Sequence, residues 1–308
     1  MAKKVLIATS KPFAPEARDA ALAILAEGGC EAEALESYND PSQLTAALAG
    51  VNGLIVRSDQ ITAEVLKAGK DLEIVVRAGA GYDNIDCETA RELGIVVENT
   101  PGQNANAVAE LALGMMIMIA RGNYSGKSGT ELRGKVLGLQ GFGNVARRVA
   151  EIASRGFEMK IVAFDPYLPE ETFRAAGAEK ARSLEELYRR CDYLSLHVPS
   201  LPETKGSVDY GLLSLMKDGA VLVNTARADI VDENDLLRIY RERPGFRYIS
   251  DVAPGNREEI VSCDGNRCFF TPKKMGAQSA EANFNAGTAA AAQIVAFFKT
   301  GDTAFKVN

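Results

Sequence analysis

The apolar run VLGLQ at 136–140 leads directly into Gly141-Phe142-Gly143-Asn144-Val145-Ala146, which opens an amphipathic stretch. Glycines in that spacing between a strand and a helix suit an anion. Gly141 permits the tight turn, Gly143 lets a pyrophosphate approach the backbone, and Ala146 keeps helix and strand close. The N–H groups of the first helical residues, Asn144 and Val145, then face the phosphates. The next apolar run, KIVAFD, ends on Asp165, nineteen residues beyond Ala146. A carboxylate at that distance accepts hydrogen bonds from the adenosine ribose hydroxyls. It also repels a 2′-phosphate, and Pro166 and Tyr167 add no cation to offset that. The pattern points to NAD rather than NADP. Three further polar clusters follow apolar runs in the same way: RAGAGYDNID at 77–86, NTARADIVDENDLL at 224–237 and SDVAPG at 250–255.

Elements able to position such clusters alternate along the chain. VLIAT, GLIVRS, EIVVRAG and IVVENT read as strands in the first third, with helices over Ala14–Glu27, Ser42–Leu48, Ala63–Ala68 and Cys87–Leu93 between them. Pro101 stops IVVENT, and a long apolar helix follows over 104–121. Asn106 and Glu110 interrupt its apolar run, so it is expected to be buried and to bridge two domains rather than to span a membrane. A second series begins at Lys135, with strands VLGLQ, KIVAFD, YLSLHV, AVLVNTA, RYISDVA and CFFTP. β-Branched runs alternating with helices indicate α/β architecture with parallel sheets covered on both faces. The expected arrangement is two doubly wound domains with the active site in the cleft between them. Residues 1–101 and 283–308 form a discontinuous substrate domain, and 102–282 the nucleotide domain. The final helix, Ala280–Lys299, is expected to return and pack on the first domain.

At 308 residues and 46% hydrophobic composition the chain is long enough for two ordinary cores. A net charge of −6 with dispersed cations argues against nucleic acid or an anionic membrane surface as partner, leaving a small molecule. The apolar run Val5–Ala8 is too short for a signal peptide or a span. Five cysteines make an odd count with no C-x-x-C pair. That fits reduced thiols in a cytoplasmic protein. Cys263 and Cys268 lack neighbouring ligands to complete a metal site, so none is expected.

Together with GFGNVA and the terminal TPKKMGAQSAEA, the three polar clusters resemble the D-2-hydroxyacid dehydrogenase family over nearly the whole chain. The resemblance implies a Rossmann nucleotide domain beside a flavodoxin-like substrate domain. It also implies hydride transfer between NAD and a 2-hydroxy acid, with a homodimer formed through the nucleotide domains. Such chemistry needs a cation on the carboxylate and forming carbonyl, and a base for the hydroxyl proton. Arg227, after AVLVNTA, matches the family's motif arginine and suits bidentate carboxylate recognition. Backbone N–H groups of Gly79, Ala80 and Gly81 complete that pocket. His197, Val198, Pro199, Thr225, Ala226, Asp251 and Gly276 match positions that line the cofactor. Arg57 and Ser58 end GLIVRS and Lys11 follows VLIATS, so a substrate phosphate could be met by all three at one sheet edge.

The family's base is a histidine oriented by a glutamate, and this chain departs from the pattern at both positions. Its one histidine is His197. The corresponding segment reads Thr271-Pro272-Lys273-Lys274-Met275-Gly276-Ala277. Counting back from Gly-Ala selects Lys274, and counting on from Thr-Pro selects Lys273. The former is preferred, because the Gly-Ala turn opens the following helix and is less free to slide. Asn256 stands where the glutamate is expected, with Glu258 and Glu259 close behind. A neighbouring carboxylate would raise a lysine already near about 10.4, so the two departures belong together. Desolvation, Arg227, Lys273 and the positive nicotinamide would act in the opposite direction. These features resemble a branch of the phosphoglycerate dehydrogenases with lysine in place of histidine. The resemblance implies oxidation of 3-phosphoglycerate; the chain is expected to stop before any appended regulatory domain, so serine inhibition is expected to be absent or weak. A glyoxylate, hydroxypyruvate or other D-2-hydroxyacid reductase is the alternative. An NAD-sensing corepressor is disfavoured by the lack of partner-binding tails.

Overall fold

The computed structural model describes residues 2–308, in two compact units: 2–104 with 278–308, and Ala105–Ala277. The first unit runs β1 (Lys4–Thr9), α1 (Pro15–Glu27), β2 (Glu31–Glu36), α2 (Pro41–Ala47), β3 (Gly53–Val56), α3 (Ala63–Ala68), β4 (Ile74–Arg77), α4 (Cys87–Glu92) and β5 (Val96–Asn99). All strand pairs are parallel and the order is β2-β1-β3-β4-β5, the flavodoxin-like arrangement. Strand residues alternate between two cores. Leu6, Ala8, Leu54, Val56, Val75 and Val97 pack toward α2, α3 and α4, whereas Val5, Ile7, Ile55, Ile74 and Val76 pack on the other face. Burial on both faces explains why these strands read as unbroken apolar runs.

One strand of this sheet was not anticipated. β2 pairs along its whole length with β1, Lys4 opposite Glu31 through Thr9 opposite Glu36. Its sequence, EAEALE, carries helix-forming residues on an edge that is largely exposed. Pairing with β1 overrides that local preference.

The second unit continues with α5 (Ala105–Ala120), β6 (Val136–Gln140), α6 (Asn144–Phe157), β7 (Lys160–Phe164), α7 (Glu170–Ala175), β8 (Glu179–Lys180), α8 (Leu184–Arg190), β9 (Tyr193–Leu196), α9 (Tyr210–Leu215), β10 (Val221–Asn224), α10 (Glu233–Glu242), β11 (Arg247–Ser250), α11 (Arg257–Asp264) and β12 (Cys268–Phe270). Its parallel sheet is ordered β12-β11-β10-β9-β6-β7-β8, so connections wind outward both ways from the β6/β9 pair. Ligands bind outside the carboxyl ends of the strands at such a switch point. α5, expected to bridge two domains, lies wholly in this unit. Its Ala109, Ala112, Leu113, Met116 and Ile119 pack with Leu137, Leu139, Val223 and Ile249 of the sheet.

The chain returns to the first unit as α12 (Ala280–Thr300), which packs against α1. Ala17, Ala21 and Leu25 of α1 share a core with Ala286, Ala290, Ala291 and Ile294 of α12. Gly287 lets the helix approach closely, since a Cβ there would stand 3.3 Å from the Phe13 ring. The units divide at 104/105 and 277/278, against expected boundaries after 101 and before 283. The second difference has a local cause: Ser279 Oγ accepts from Ala282 N at 3.1 Å, so the capped first turn of α12 moves with the helix it starts. Among the described residues no helix is long and apolar enough to cross a membrane.

Candidate active site

In the second unit, the glycine turn after β6 has the conformation its sequence demands. Gly141 has φ of +82°, and a Cβ on it would meet the His197 carbonyl oxygen at 2.8 Å. Its N–H donates to Phe164 O at 2.8 Å, which ties the turn to the end of β7. Gly143 caps α6 with no side-chain partner for the helix N-terminus, and no atom lies within 4 Å of its Cβ position. Protein packing therefore does not require a glycine at 143. Asn144 at the first helical position is exposed and Val145 is half-buried. Asp165 closes the turn from the other side, with Oδ2 accepting from Phe142 N and Oδ1 from Tyr167 N, each at 3.0 Å. Each carboxylate oxygen retains a further lone pair for a hydroxyl donor.

His197 sits across the switch point, its N–H donating to Gln140 O at 2.8 Å. Burial pulls its imidazole down to about 4, and its Nε2 is buried without a protein partner. It is therefore neutral at physiological pH. Val198 packs at the edge of the core and Pro199 is exposed. Thr225, at the end of β10, is buried with its Oγ1 also lacking a protein partner.

The loop after β10 and the segment after β12 converge. Lys274 Nζ donates to Ala226 O at 2.9 Å, and Arg227 Nη1 donates to the same oxygen at 3.1 Å. Asp251, fully buried at the end of β11, holds the lysine segment in place. Its carboxylate accepts from Met275 N at 2.7 Å, Gly276 N at 2.8 Å and Thr271 Oγ1 at 3.0 Å. A Cβ on Gly276 would stand 3.0 Å from that carboxylate and 3.2 Å from Val108, a tight approach that favours glycine. Asp251 and Gly276, expected to line the cofactor, are thus engaged with each other, and their geometry sets the position of Lys274. Lys274 is exposed. Lys273 is exposed as well. Asn256 turns its amide to Glu233 O at 2.6 Å, Glu259 pairs with Arg241 at 3.4 Å, and Glu258 is exposed.

In the first unit, the loop after β4 is held by its carbonyls. Thr100 N donates to Gly79 O at 3.0 Å and Asn99 Nδ2 to Ala80 O at 2.6 Å. Gly79 has φ of +148°, and a side chain there would collide with the Arg77 guanidinium. Gly79 N–H donates to Arg77 O at 2.8 Å in a tight turn. Arg57 donates through Nη1 to Lys11 O at 3.1 Å and Pro12 O at 2.9 Å, and through Nη2 to Asn283 Oδ1, with its guanidinium over the Phe13 ring. These contacts are neutral, so they hold the guanidinium without cancelling its charge. Burial lowers the Arg57 pKa, and Asp59 opposes the shift. Ser58 and the Lys11 side chain are exposed nearby.

Residues 107–272, more than half of the chain, match the family described as D-isomer specific 2-hydroxyacid dehydrogenase, NAD binding domain. The chain belongs to the D-2-hydroxyacid dehydrogenase family. A 3-phosphoglycerate dehydrogenase of Entamoeba histolytica, solved with NAD+ bound, is similar in structure over 100% of this chain and 99% of its own, with 44% identity and a TM-score of 0.92. The D-3-phosphoglycerate dehydrogenase of Sus scrofa is 35% identical over 99% of this chain and 58% of its own length. This chain thus spans little more than half of that relative. A hydroxypyruvate reductase of Thermotoga maritima is 36% identical over 83% of this chain and 88% of its own.

NAD is the cofactor of this dehydrogenase family, and the residues present fit it. The open space above Gly143, the uncapped start of α6 and the unpartnered Thr225 Oγ1 and His197 Nε2 all lie at carboxyl ends of strands in the NAD-binding unit. Sequence reasoning passed over three residues of the site. Arg77 is a cation beside the Gly79 turn, Asn99 steadies Ala80, and Asn224 brackets the arginine loop. A signal was available in the Asn-Thr pair that ends both IVVENT and AVLVNT. In both pairs the asparagine holds a neighbouring loop and the threonine hydroxyl is buried without a protein partner.

Proposed function

We propose that this chain oxidises 3-phospho-D-glycerate to 3-phosphohydroxypyruvate with NAD as hydride acceptor, the entry step to serine synthesis. The observation carrying this reading is the convergence of Lys274 and Arg227 on Ala226 O at the carboxyl edge of the NAD-binding sheet. Gly141, Gly143, Asn144 and Val145 hold the pyrophosphate, and Asp165 holds the adenosine ribose. His197, Val198, Pro199, Thr225, Ala226, Asp251 and Gly276 frame the rest of the cofactor. NAD, when bound, takes the hydride from C2. Arg227 grips the substrate carboxylate and draws electron density from the forming carbonyl. Lys274 in its neutral form takes the hydroxyl proton as the C2–H bond breaks, and returns it in the reverse direction. The Asp251-bound segment and Ala226 O hold Lys274 in position.

The first unit's Gly79, Ala80 and Gly81 offer backbone N–H groups to the substrate carboxylate, and Arg57, Ser58 and Lys11 receive the phosphate. The charge on Arg57, held only by neutral acceptors, supports this assignment. The test is NADH production across a panel of D-2-hydroxy acids, with 3-phosphoglycerate expected to give the highest kcat/KM. A higher value with unphosphorylated glycerate would favour hydroxypyruvate reduction, the second reading, to which the Thermotoga maritima relative lends support.

The working form is a homodimer in the cytoplasm. The five free cysteines suit a reducing compartment, and the incompletely buried Leu111, Gly114 and Met118 of α5 suit a partner surface. A monomer mass by sedimentation would remove the dimer.

A further inference from the structure

We propose that Asn224 is the positioning residue for Arg227 and for the carbonyl that Arg227 shares with Lys274. This rests on the catalytic pair assigned above. Asn224 is fully buried at the end of β10, and its own carbonyl accepts from Asp251 N at 2.9 Å and Ser250 Oγ at 3.0 Å. Its carboxamide uses both ends on the loop that follows. Oδ1 accepts from Ala226 N at 3.0 Å, and Nδ2 donates to Arg227 O at 2.9 Å, with the Tyr248 hydroxyl 3.4 Å away.

Ala226 N–H and Arg227 C=O are thereby both turned inward. Arg227 has an extended backbone, φ −138° and ψ 145°. Successive carbonyls alternate in direction along such a backbone, so Ala226 C=O is turned outward, where Arg227 Nη1 and Lys274 Nζ meet it. The loop needs one donor and one acceptor at a fixed separation from a single buried side chain. An amide has both, whereas a carboxylate would set a second acceptor against Arg227 O and an aliphatic side chain would release both backbone groups of the half-buried loop.

The effect is on geometry, and a displacement of about 1 Å at a reacting centre is enough to cost roughly 100-fold in rate. The experiment is a double-mutant cycle of Asn224→Ala with Arg227→Lys, read as kcat/KM for the hydroxy acid, NAD affinity by fluorescence titration, and melting temperature. Asn224→Ala is expected to lower kcat/KM roughly 100-fold in the parent, with NAD affinity within about threefold, and to cost less than about threefold once Arg227 is lysine. Asn224→Asp, which keeps the bond from Ala226 N and loses the one to Arg227 O, should behave as Asn224→Ala does. Equal losses in both backgrounds, a loss accounted for by NAD affinity, or failure of both variants to fold would overturn the proposal and leave a purely structural role. Full activity of Arg227→Lys alone would instead remove the catalytic reading on which this one stands.

Discussion

Lys274 and Arg227 donate to one atom, the carbonyl oxygen of Ala226, at 2.9 and 3.1 Å. The ammonium and the guanidinium are therefore neighbours through a neutral acceptor. In the proposed reading the guanidinium meets the substrate carboxylate and the lysine its hydroxyl. A base of this kind works only when deprotonated, so oxidation is expected to quicken with rising pH toward the lysine ionisation, ordinarily near about 10.4. Lys274→His should move that rise toward about 6.5. An unchanged pH profile in the histidine variant would place the base elsewhere.

The phosphate assignment makes a separable prediction. Arg57→Ala removes a cation whose partners are Lys11 O, Pro12 O and Asn283. The loss of a charge-assisted contact of about 1.5–3 kcal/mol should raise the KM for 3-phosphoglycerate by roughly 10- to 100-fold. Turnover of unphosphorylated D-2-hydroxy acids should change far less. Parallel losses on both substrate classes would mean that Arg57 only ties the Lys11–Pro12 loop to α12.

Cofactor choice is expected to depend on Asp165. Its carboxylate stands beside the Gly141 turn, and Pro166 and Tyr167 bring no cation to it. Asp165→Ala is expected to weaken NAD by about tenfold or more and to narrow the preference over NADP, both measurable by titration. Retention of the full preference would show that discrimination lies in other residues.

Two buried groups give stability a defined pH dependence. His197 is held down to about 4, so the folded protein excludes a proton that the unfolded chain binds. Stability should fall as pH drops from about 6.5 toward 4, by about 3 kcal/mol in all. Glu98, 1% exposed on β5 beside the 302–308 segment, is raised to about 7, chiefly by burial. There the folded protein keeps a proton that the unfolded chain releases. Stability therefore falls as pH rises from about 4.5 to about 7, by a similar amount. Glu98→Gln should raise the melting temperature by several degrees at pH 8 and very little at pH 4.5. An equal gain at both pH values would contradict the assignment.

The fold was legible where sequence and burial agree. Val5–Ala8, Leu54–Val56 and Ile74–Val76 are apolar because both faces of the sheet are covered, so the runs marked the strands. β2 was not legible, since EAEALE owes its conformation to pairing with β1. Among site residues, Gly141 and Asp165 carry their geometry in local sequence. Asn224, Asn99 and Arg77 do not, because their roles lie in hydrogen bonds to backbone that only the assembled sheet brings near. Counting along the chain left Lys273 and Lys274 both possible. The grip of Asp251 on Met275 N and Gly276 N brings the Lys274 ammonium to Ala226 O.

The most direct test of the central claim is the pH–rate profile of NADH formation from 3-phosphoglycerate by the parent and by Lys274→Ala, each with NAD saturating. The variant is expected to lose roughly 10²- to 10⁴-fold in kcat together with the alkaline rise, while NAD binding is preserved. An Ala variant that keeps the parent's rate and the parent's alkaline rise would contradict it.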